Sequence, residues 1–218
     1  MTSRFVRILS IAVAAVIAVA AAAQAHPHVW VTIKSELVYG PDGAVTGVRH
    51  AWTFDDMFSA FAVQGLERKT KGDPTRAELA PLAEVNVTSL KEFDYFSHAK
   101  ADGNKLQFAD PASGEYWLDY RDARLTLHFT LKLRTPVKAR ALDFEVYDPS
   151  YFVDFSFEEK DAVKLVDAPA GCKFTAAKPQ DDNAAAQAKR LAELPRDAPN
   201  DGVNYGMMFA NKIAVSCP

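Results

Sequence analysis

Residues 29–54 have the sequence VWVTIKSELVYGPDGAVTGVRHAWTF, in which apolar and polar side chains alternate on both sides of a turn signal. Alternation with a period of two residues is typical of a β-strand that is buried on one face. The segment Gly40-Pro41-Asp42-Gly43 combines residue types that favour a tight turn. We therefore predict a β-hairpin with strands at Val29–Val38 and Ala44–Phe54.

The predicted hairpin brings the residues after its second strand close to those before its first. A turn centred near Pro41-Asp42 pairs residues whose numbers sum to about 83 or 84. This register places Asp55 or Asp56 across from His28. A bulge at Gly43 would shift the register by one residue and exchange the two aspartates.

The rest of the chain predicts further strands and three helical segments. Strands separated by turn signals between Tyr116 and Phe157 indicate an antiparallel meander, and a last strand is predicted at Lys212–Ser216. The expected fold class is α+β, a mainly antiparallel, sandwich-like meander with an inserted helical segment and a C-terminal helix. The predicted helices are Met57–Leu66, a region from Asp73 to about Phe96 that is interrupted or kinked near Pro81, and Asp181–Leu194.

The first 25 residues have the features of a secretory leader. Arg4 and Arg7 precede the apolar stretch Ile8–Ala23, and Ala23-Gln24-Ala25 is a small-x-small cleavage site. We expect residues 1–25 to be a signal peptide and residues 26–218 to form a single periplasmic domain. Cleavage after Ala23 is the alternative. Since no second long apolar stretch follows, we expect no membrane anchor after cleavage.

Charge and cysteine content fit an exported protein. Cleavage after Ala25 removes two of the 25 basic residues and none of the 28 acidic ones, which takes the formal net charge from -3 to -5. A mildly acidic chain without basic runs gives no indication of nucleic-acid binding. The two cysteines, Cys172 and Cys217, predict a disulfide in an oxidising compartment. The alternative, a thiolate metal site, lacks a neighbouring Cys or His ligand.

The segment His26-Pro27-His28 would begin the mature chain with a free amine and two imidazoles. Pro27 has no amide hydrogen, which excludes the square-planar copper or nickel motif that needs deprotonated backbone amides. Chelation by the amine and imidazole of His26 remains, with His28 or an aspartate completing the set. Such ligands suit nickel, zinc or copper. Alternatively, the histidines are only polar residues that begin a strand.

Several segments together resemble a family of uncharacterised periplasmic proteins often labelled as an ABC-transport periplasmic component. The segments are His26–Trp30, Trp52–Asp56, Glu92–Phe96, Tyr147–Phe152 and the closing Cys217. Members are encoded beside, or fused to, nickel/cobalt-type membrane transporters. The resemblance therefore implies a role in metal handling with an inner-membrane metal transporter as partner. It also makes Asp148 a candidate metal ligand, or a residue that supports one.

These observations predict a periplasmic transition-metal-binding accessory or chaperone protein that serves a metal transporter. The candidate metal ligands are His26, His28, Asp55, Asp56 and Asp148. A copper oxidase with an N-terminal histidine brace and a metal-free structural partner of a transporter are the alternatives. Because the motifs of common hydrolases and phosphate-binding loops are absent from the sequence, we do not expect a conventional enzyme. We interpret His50, His98 and His128 as packing or surface residues.

Overall fold

The computed structural model describes residues 27–67, 69, 71–177, 186 and 204–218. The predicted signal peptide and His26 lie outside the described residues. The predicted helix Asp181–Leu194 also lies outside them, apart from Ala186.

The hairpin predicted from residues 29–54 is confirmed. Strand β1 spans Val29–Tyr39 and pairs in antiparallel fashion with β2, Val45–Phe54. The turn closes through a hydrogen bond of 2.8 Å from the Gly40 N–H to the Ala44 carbonyl. Gly43 adopts a φ of 80°, a left-handed conformation that favours glycine.

The first of two sheets contains this hairpin and four further strands, and its order is β5-β6-β2-β1-β8, with β9 also paired to β1. β8 pairs with the first half of β1 and β9 with the second half, both in parallel. The other pairs in this sheet are antiparallel. The added strands are β5 (Tyr116–Arg121), β6 (Arg124–Val137), β8 (Val153–Phe157) and β9 (Val163–Val166).

The second sheet is antiparallel and has the order β10-β11-β7-β3-β4. Its strands are β3 (Ser97–Ala101), β4 (Asn104–Lys105), β7 (Ala141–Val146), β10 (Lys173–Ala177) and β11 (Asn211–Ser216). The predicted last strand is therefore confirmed as β11. The predicted disulfide between Cys172 and Cys217 is also formed, and it joins the paired strands β10 and β11 at one end.

The predicted meander over residues 116–157 is only partly correct. β5 and β6 form an antiparallel hairpin as expected. However, β7 crosses to the second sheet, where it pairs with β3 and β11, and β8 returns to the first sheet parallel to β1. The reason is that the apolar face of the alternating strands has to be covered by another layer. Two sheets packed face to face bury more apolar surface than one continuous sheet.

Two α-helices and two 3₁₀ segments complete the described fold. α1 spans Asp56–Ala62 and α2 spans Arg76–Leu90, followed by η1 at Lys91–Phe96; η2 spans Tyr205–Phe209. The predicted helical region begins too early at Asp73, because Thr75 is the N-cap of α2 and forms a capping box with Glu78. Of the predicted interruption or kink near Pro81, the interruption is wrong, since α2 continues through Pro81 and ends at Leu90.

The core lies between the two sheets and is closed on one side by α2. Trp52 and Phe129 from the first sheet and Phe144 from the second are almost fully buried. Leu79, Ala83 and Val87 form an apolar stripe on α2 that joins the same core. The fold class is thus α+β, with mostly antiparallel strands. Within the described residues, no helix is long and apolar enough to cross a membrane.

Candidate functional site

His28 immediately precedes β1 and is held against the segment before β8. Its backbone N–H donates a 2.8 Å hydrogen bond to the carbonyl of Phe152. Its imidazole packs on the Phe152 ring, with the ring centroids 4.7 Å apart. These contacts fix a partly buried imidazole two residues after His26. We call the end of the sandwich where β1 and β8 begin and β2 finishes the His28 end.

Asp55 joins β2, β1 and α1 at the His28 end. Its Oδ1 accepts a 2.8 Å hydrogen bond from the N–H of Phe58, which caps α1. Its Oδ2 accepts a 2.9 Å hydrogen bond from the N–H of Trp30. Both carboxylate oxygens therefore hold backbone donors, and local structure alone accounts for an aspartate at this position.

Asp56 points to solvent and pairs with an arginine at the start of β6. Its Oδ1 lies 2.6 Å from Nε of Arg124, and the side chains are 73% and 48% exposed, respectively. An ion pair this exposed contributes little to stability because water screens the attraction.

Asp148 is buried in the turn that leads into β8, with 3% of its surface exposed. Oδ1 accepts 2.8 Å hydrogen bonds from both the N–H and the hydroxyl of Ser150, and Oδ2 accepts one of 2.9 Å from the N–H of Val153. A Cβ at Gly206 would overlap the carbonyl oxygen of Asp148, so only glycine allows η2 to pack this closely on the turn. Asp148 thereby fixes the segment that carries Phe152.

The register of the hairpin differs from the predicted one. Val31 faces Phe54, and Asp55 is bonded to Trp30, so the predicted pairing of Asp55 or Asp56 with His28 is wrong. The shift arises at an irregularity between Val38 and Tyr39, where one residue of β2 is left out of the pairing. A bulge extends one strand relative to its partner and changes every later pair.

Only some of the predicted metal ligands therefore lie near one another in the described structure. His28, Asp55 and Asp148 belong to the His28 end, and Asp56 begins α1 beside it. Among the described residues, no group of three or more His, Cys, Asp or Glu side chains is close enough to hold a metal ion. Because the predicted set includes His26, the metal site stays a prediction.

Asp154 is a carboxylate at the His28 end that our sequence analysis did not single out. It faces Trp30 across the parallel pair formed by β1 and β8. Alternate residues of a strand share a face, so Asp154 and Ser156 project from the same side of β8. Burial raises the pKa of the Asp154 carboxyl. The alternation within Val153–Phe157 shows which residues face outward, but only the parallel pairing identifies the neighbour.

His50 has a structural role between the sheets, as predicted. Its Nδ1 lies 3.0 Å from the hydroxyl of Ser35 and its Nε2 lies 3.2 Å from the hydroxyl of Ser97. Burial lowers the pKa of His50 to about 3, so the ring is neutral at neutral pH. His50 therefore supplies a buried polar link between β1, β2 and β3.

The other two histidines lie on the outer faces of the sheets. His98 lies in β3 rather than at a helix end, and its ring packs on Tyr147 with centroids 4.5 Å apart. His128 stacks on Trp117 at 4.8 Å, and its Nε2 lies 3.2 Å from Oδ2 of Asp119. Neither side chain contributes to the His28 end.

Large apolar side chains are exposed around the His28 end. Phe152 packs on His28, and the two methionines of η2 follow Gly206, which contacts the turn before Phe152. Exposed apolar surface of this kind commonly marks an interaction site. The exposed residues are Trp30 at 46%, Met57 at 73%, Phe61 at 72%, Phe152 at 44%, Met207 at 52% and Met208 at 37%.

Comparison with known proteins places the chain in a family. A profile described as "Protein of unknown function (DUF1007)" matches residues 11–217. The chain belongs to this family. It is also similar to a protein from Haemophilus influenzae (strain ATCC 51907 / DSM 11121 / KW20 / Rd) described as "Uncharacterized protein", at 26% identity over 197 residues that cover 88% of this chain and 91% of that protein. Neither description specifies an activity or a ligand.

In this DUF1007 chain, the motif segments that are far apart in sequence meet near the His28 end. The N–H of Tyr147 donates a 3.1 Å hydrogen bond to the carbonyl of Phe96, and the Phe96 ring lies 5.5 Å from that of Phe155. Asp94, Tyr95 and Phe96 have φ values of 51°, 53° and 49°, respectively. Three successive left-handed residues that are not glycine carry a conformational cost, which the surrounding packing offsets.

Proposed function

We propose that the protein is a periplasmic transition-metal-binding accessory or chaperone that serves an inner-membrane metal transporter. The observation that carries the proposal is the placement of His28. Its imidazole is packed on Phe152 and its backbone N–H is bonded to the Phe152 carbonyl, so the ring is held two residues after the predicted N-terminus at His26. An imidazole that is already held loses less conformational entropy when it binds a metal.

The proposed donors are nitrogen atoms of the first three mature residues. The amine and imidazole of His26 would chelate the ion, and the imidazole of His28 would add a third nitrogen. Nickel, zinc and copper all accept such donors. Because amines and imidazoles must lose protons before they bind, affinity should fall as pH drops through the histidine range.

The predicted aspartates contribute to this proposal in different ways. Each carboxylate oxygen has two lone pairs, so Asp55 keeps acceptor capacity beyond its bonds to Trp30 and Phe58. Asp56 would have to leave Arg124 to bind a metal. Asp148 is better suited to positioning, because it holds the turn that orients Phe152 against His28.

The proposed compartment and partner have separate support. The disulfide Cys172–Cys217 is a bond typical of oxidising compartments such as the periplasm. The resemblance to proteins found with nickel/cobalt-type transporters suggests the partner. The exposed apolar side chains around the His28 end offer a surface where a transporter could receive the ion.

The test is metal binding by the exported, processed protein, titrated in turn with Ni²⁺, Zn²⁺ and Cu²⁺ by calorimetry. We expect one ion per chain for at least one metal. Replacing His28 with Ala should weaken binding more than tenfold, because it removes one of the three nitrogens. Inserting one Ala before His26 should also weaken binding, since it displaces the amine.

His128→Ala is the matched control, because His128 is a partly buried surface histidine away from the His28 end. We expect it to change affinity less than twofold. Equal losses for His28→Ala and His128→Ala would contradict the proposed site. An exported protein that binds none of the three metals would contradict the proposed function and favour the metal-free structural partner.

A further inference from the structure

We propose that Trp30 and Asp154 form a binding site for an arginine side chain of a partner protein. The two residues face each other across the parallel pair of β1 and β8, on the outer face of the first sheet. The inference goes beyond the proposed metal site, since the arginine would bind without any ion. It depends on the geometry of this pair and on a comparison with a second tryptophan and aspartate in the same sheet.

Trp30 and Asp154 lie side by side on the outer face. They are paired residues of adjacent strands, which lie about 4.8 Å apart. The next pair along the two strands, Val31 and Phe155, is buried in the core, so the alternation directs Trp30 and Asp154 outward. Trp30 is 46% exposed and Asp154 is partly buried. A carboxylate therefore lies next to an exposed indole ring.

The Asp154 carboxylate has no cationic partner among the described residues. It forms no ion pair and accepts no hydrogen bond there, and burial raises its pKa without a nearby cation to lower it. A partly buried carboxylate without a partner destabilises the folded state, because burial removes part of its hydration. A guanidinium group from another protein would offset this cost by supplying both the opposite charge and hydrogen-bond donors.

The same sheet contains another tryptophan and aspartate, and their partners come from the chain itself. Trp117 and Asp119 project from one face of β5, at the opposite edge of the sheet from β8. The guanidinium carbon of Arg76 lies 4.3 Å from the centre of the Trp117 ring, and Nε2 of His128 lies 3.2 Å from Oδ2 of Asp119. Basic side chains of the chain thus cover this pair, whereas the described residues provide none for the pair on β1 and β8.

Arginine suits the site better than other cationic groups do. Its planar guanidinium can stack on an indole face and donate two parallel hydrogen bonds to a carboxylate. Burial and the nearby charge of Asp154 raise the pKa of Tyr151 to about 12, so a second aromatic side chain lies close to the carboxylate. Tryptophan, tyrosine and arginine are the residues that most often dominate binding between proteins. The exposed apolar side chains at the His28 end favour a protein surface as the source of the arginine.

The test is an NMR titration of the exported, processed protein with the peptide acetyl-Gly-Arg-Gly-amide. The matched peptide carries citrulline, which keeps the shape of arginine and has no charge. We expect the arginine peptide to shift the indole N–H signal of Trp30, assigned with Trp30→Phe, and to bind at least about fivefold more tightly than the citrulline peptide. Asp154→Asn should weaken its binding at least about fivefold, while the indole signals of Trp52 and Trp117 stay unchanged because the fold is intact.

Asp119→Asn is the matched control, because Asp119 is a partly buried aspartate on the outer face of the same sheet, paired with His128. It should leave the affinity for the arginine peptide unchanged. A second variant, Trp30→Leu, should weaken binding without altering the charge of the site. Since the titration contains no metal, its result is independent of the test of metal binding.

Three results would overturn the proposal. Equal affinities for the two peptides, or for the wild type and Asp154→Asn, would refute the site. Tighter binding of tetramethylammonium than of the arginine peptide would indicate a small ammonium ligand instead of an arginine. Self-association of the wild type in sedimentation experiments, if Asp154→Asn abolishes it, would assign the site to a second copy of this chain instead of a different protein.

Discussion

Polar side chains in the interior of the sandwich and at its His28 end have different hydrogen-bond partners. In the interior, His50 is bonded through both ring nitrogens to serine hydroxyls on neighbouring strands. At the His28 end, Asp55 and Asp148 are bonded mainly to backbone N–H groups, and Asp154 is bonded to none of the described residues. Residue type alone therefore does not show which polar groups have a structural role; their hydrogen-bond partners do.

This comparison predicts the largest loss of stability for Asp148→Ala. The change removes the buried carboxylate that accepts partly buried hydrogen bonds from the N–H groups of Ser150 and Val153, which should lower the free energy of unfolding by about 3 kcal/mol. Urea denaturation of the oxidised protein measures it. Glu84→Ala, at an exposed position of α2, should change stability by less than about 0.5 kcal/mol. Similar values for the two variants would show that the turn before β8 is not needed for stability.

A smaller effect, about 2 kcal/mol between pH 6.5 and pH 5, should come from the pH dependence contributed by His50. Its folded pKa of about 3 lies below the ordinary value of 6.5, so the unfolded chain binds more protons between these limits. Stability is therefore complete above pH 6.5 and falls as the pH drops, by about 1.4 kcal/mol per unit. Urea denaturation of wild type and His50→Gln at several pH values isolates this contribution. Parallel pH profiles for the two proteins would contradict the buried, neutral histidine.

The smallest predicted effects distinguish two adjacent aspartates at the His28 end. Asp55→Ala removes the cap of α1 and the acceptor for Trp30, and it should cost about 1–2 kcal/mol of unfolding free energy. Asp56→Ala removes only an exposed pair with Arg124 and should cost less than about 0.5 kcal/mol. The loss of stability in the two variants can be compared by thermal unfolding. The reverse ranking would mean that the cap contributes less than the surface ion pair.

Local sequence signals predicted the parts of the fold that depend on neighbouring residues. The turn Gly40–Gly43 and the alternation on both sides of it define the β1–β2 hairpin, and two cysteines in a chain define one disulfide. The exchange of β7 into the second sheet and the parallel return of β8 depend on contacts between distant residues. Nothing in the segments themselves distinguishes these pairings from a meander.

Predictions about the candidate site were likewise limited to features of neighbouring residues. His28 could be singled out as a candidate ligand because its spacing from the predicted terminus is a local feature. The partners of Asp55 and Asp56 were misplaced by the irregularity between Val38 and Tyr39, which the turn residues do not reveal. The position of Asp154 opposite Trp30 could not be predicted because it depends on the parallel pairing of β1 with β8.

The central position of β1 has a consequence for the time course of folding. Although β1 emerges first during synthesis, its parallel partners contain Val153 and Val163 and emerge much later. Until then only the hairpin partner β2 is available, and the other edge of β1 lacks its hydrogen-bonding strands. Pairings between such distant segments are slow to form. The strand that follows His28 therefore acquires its parallel neighbours late in folding.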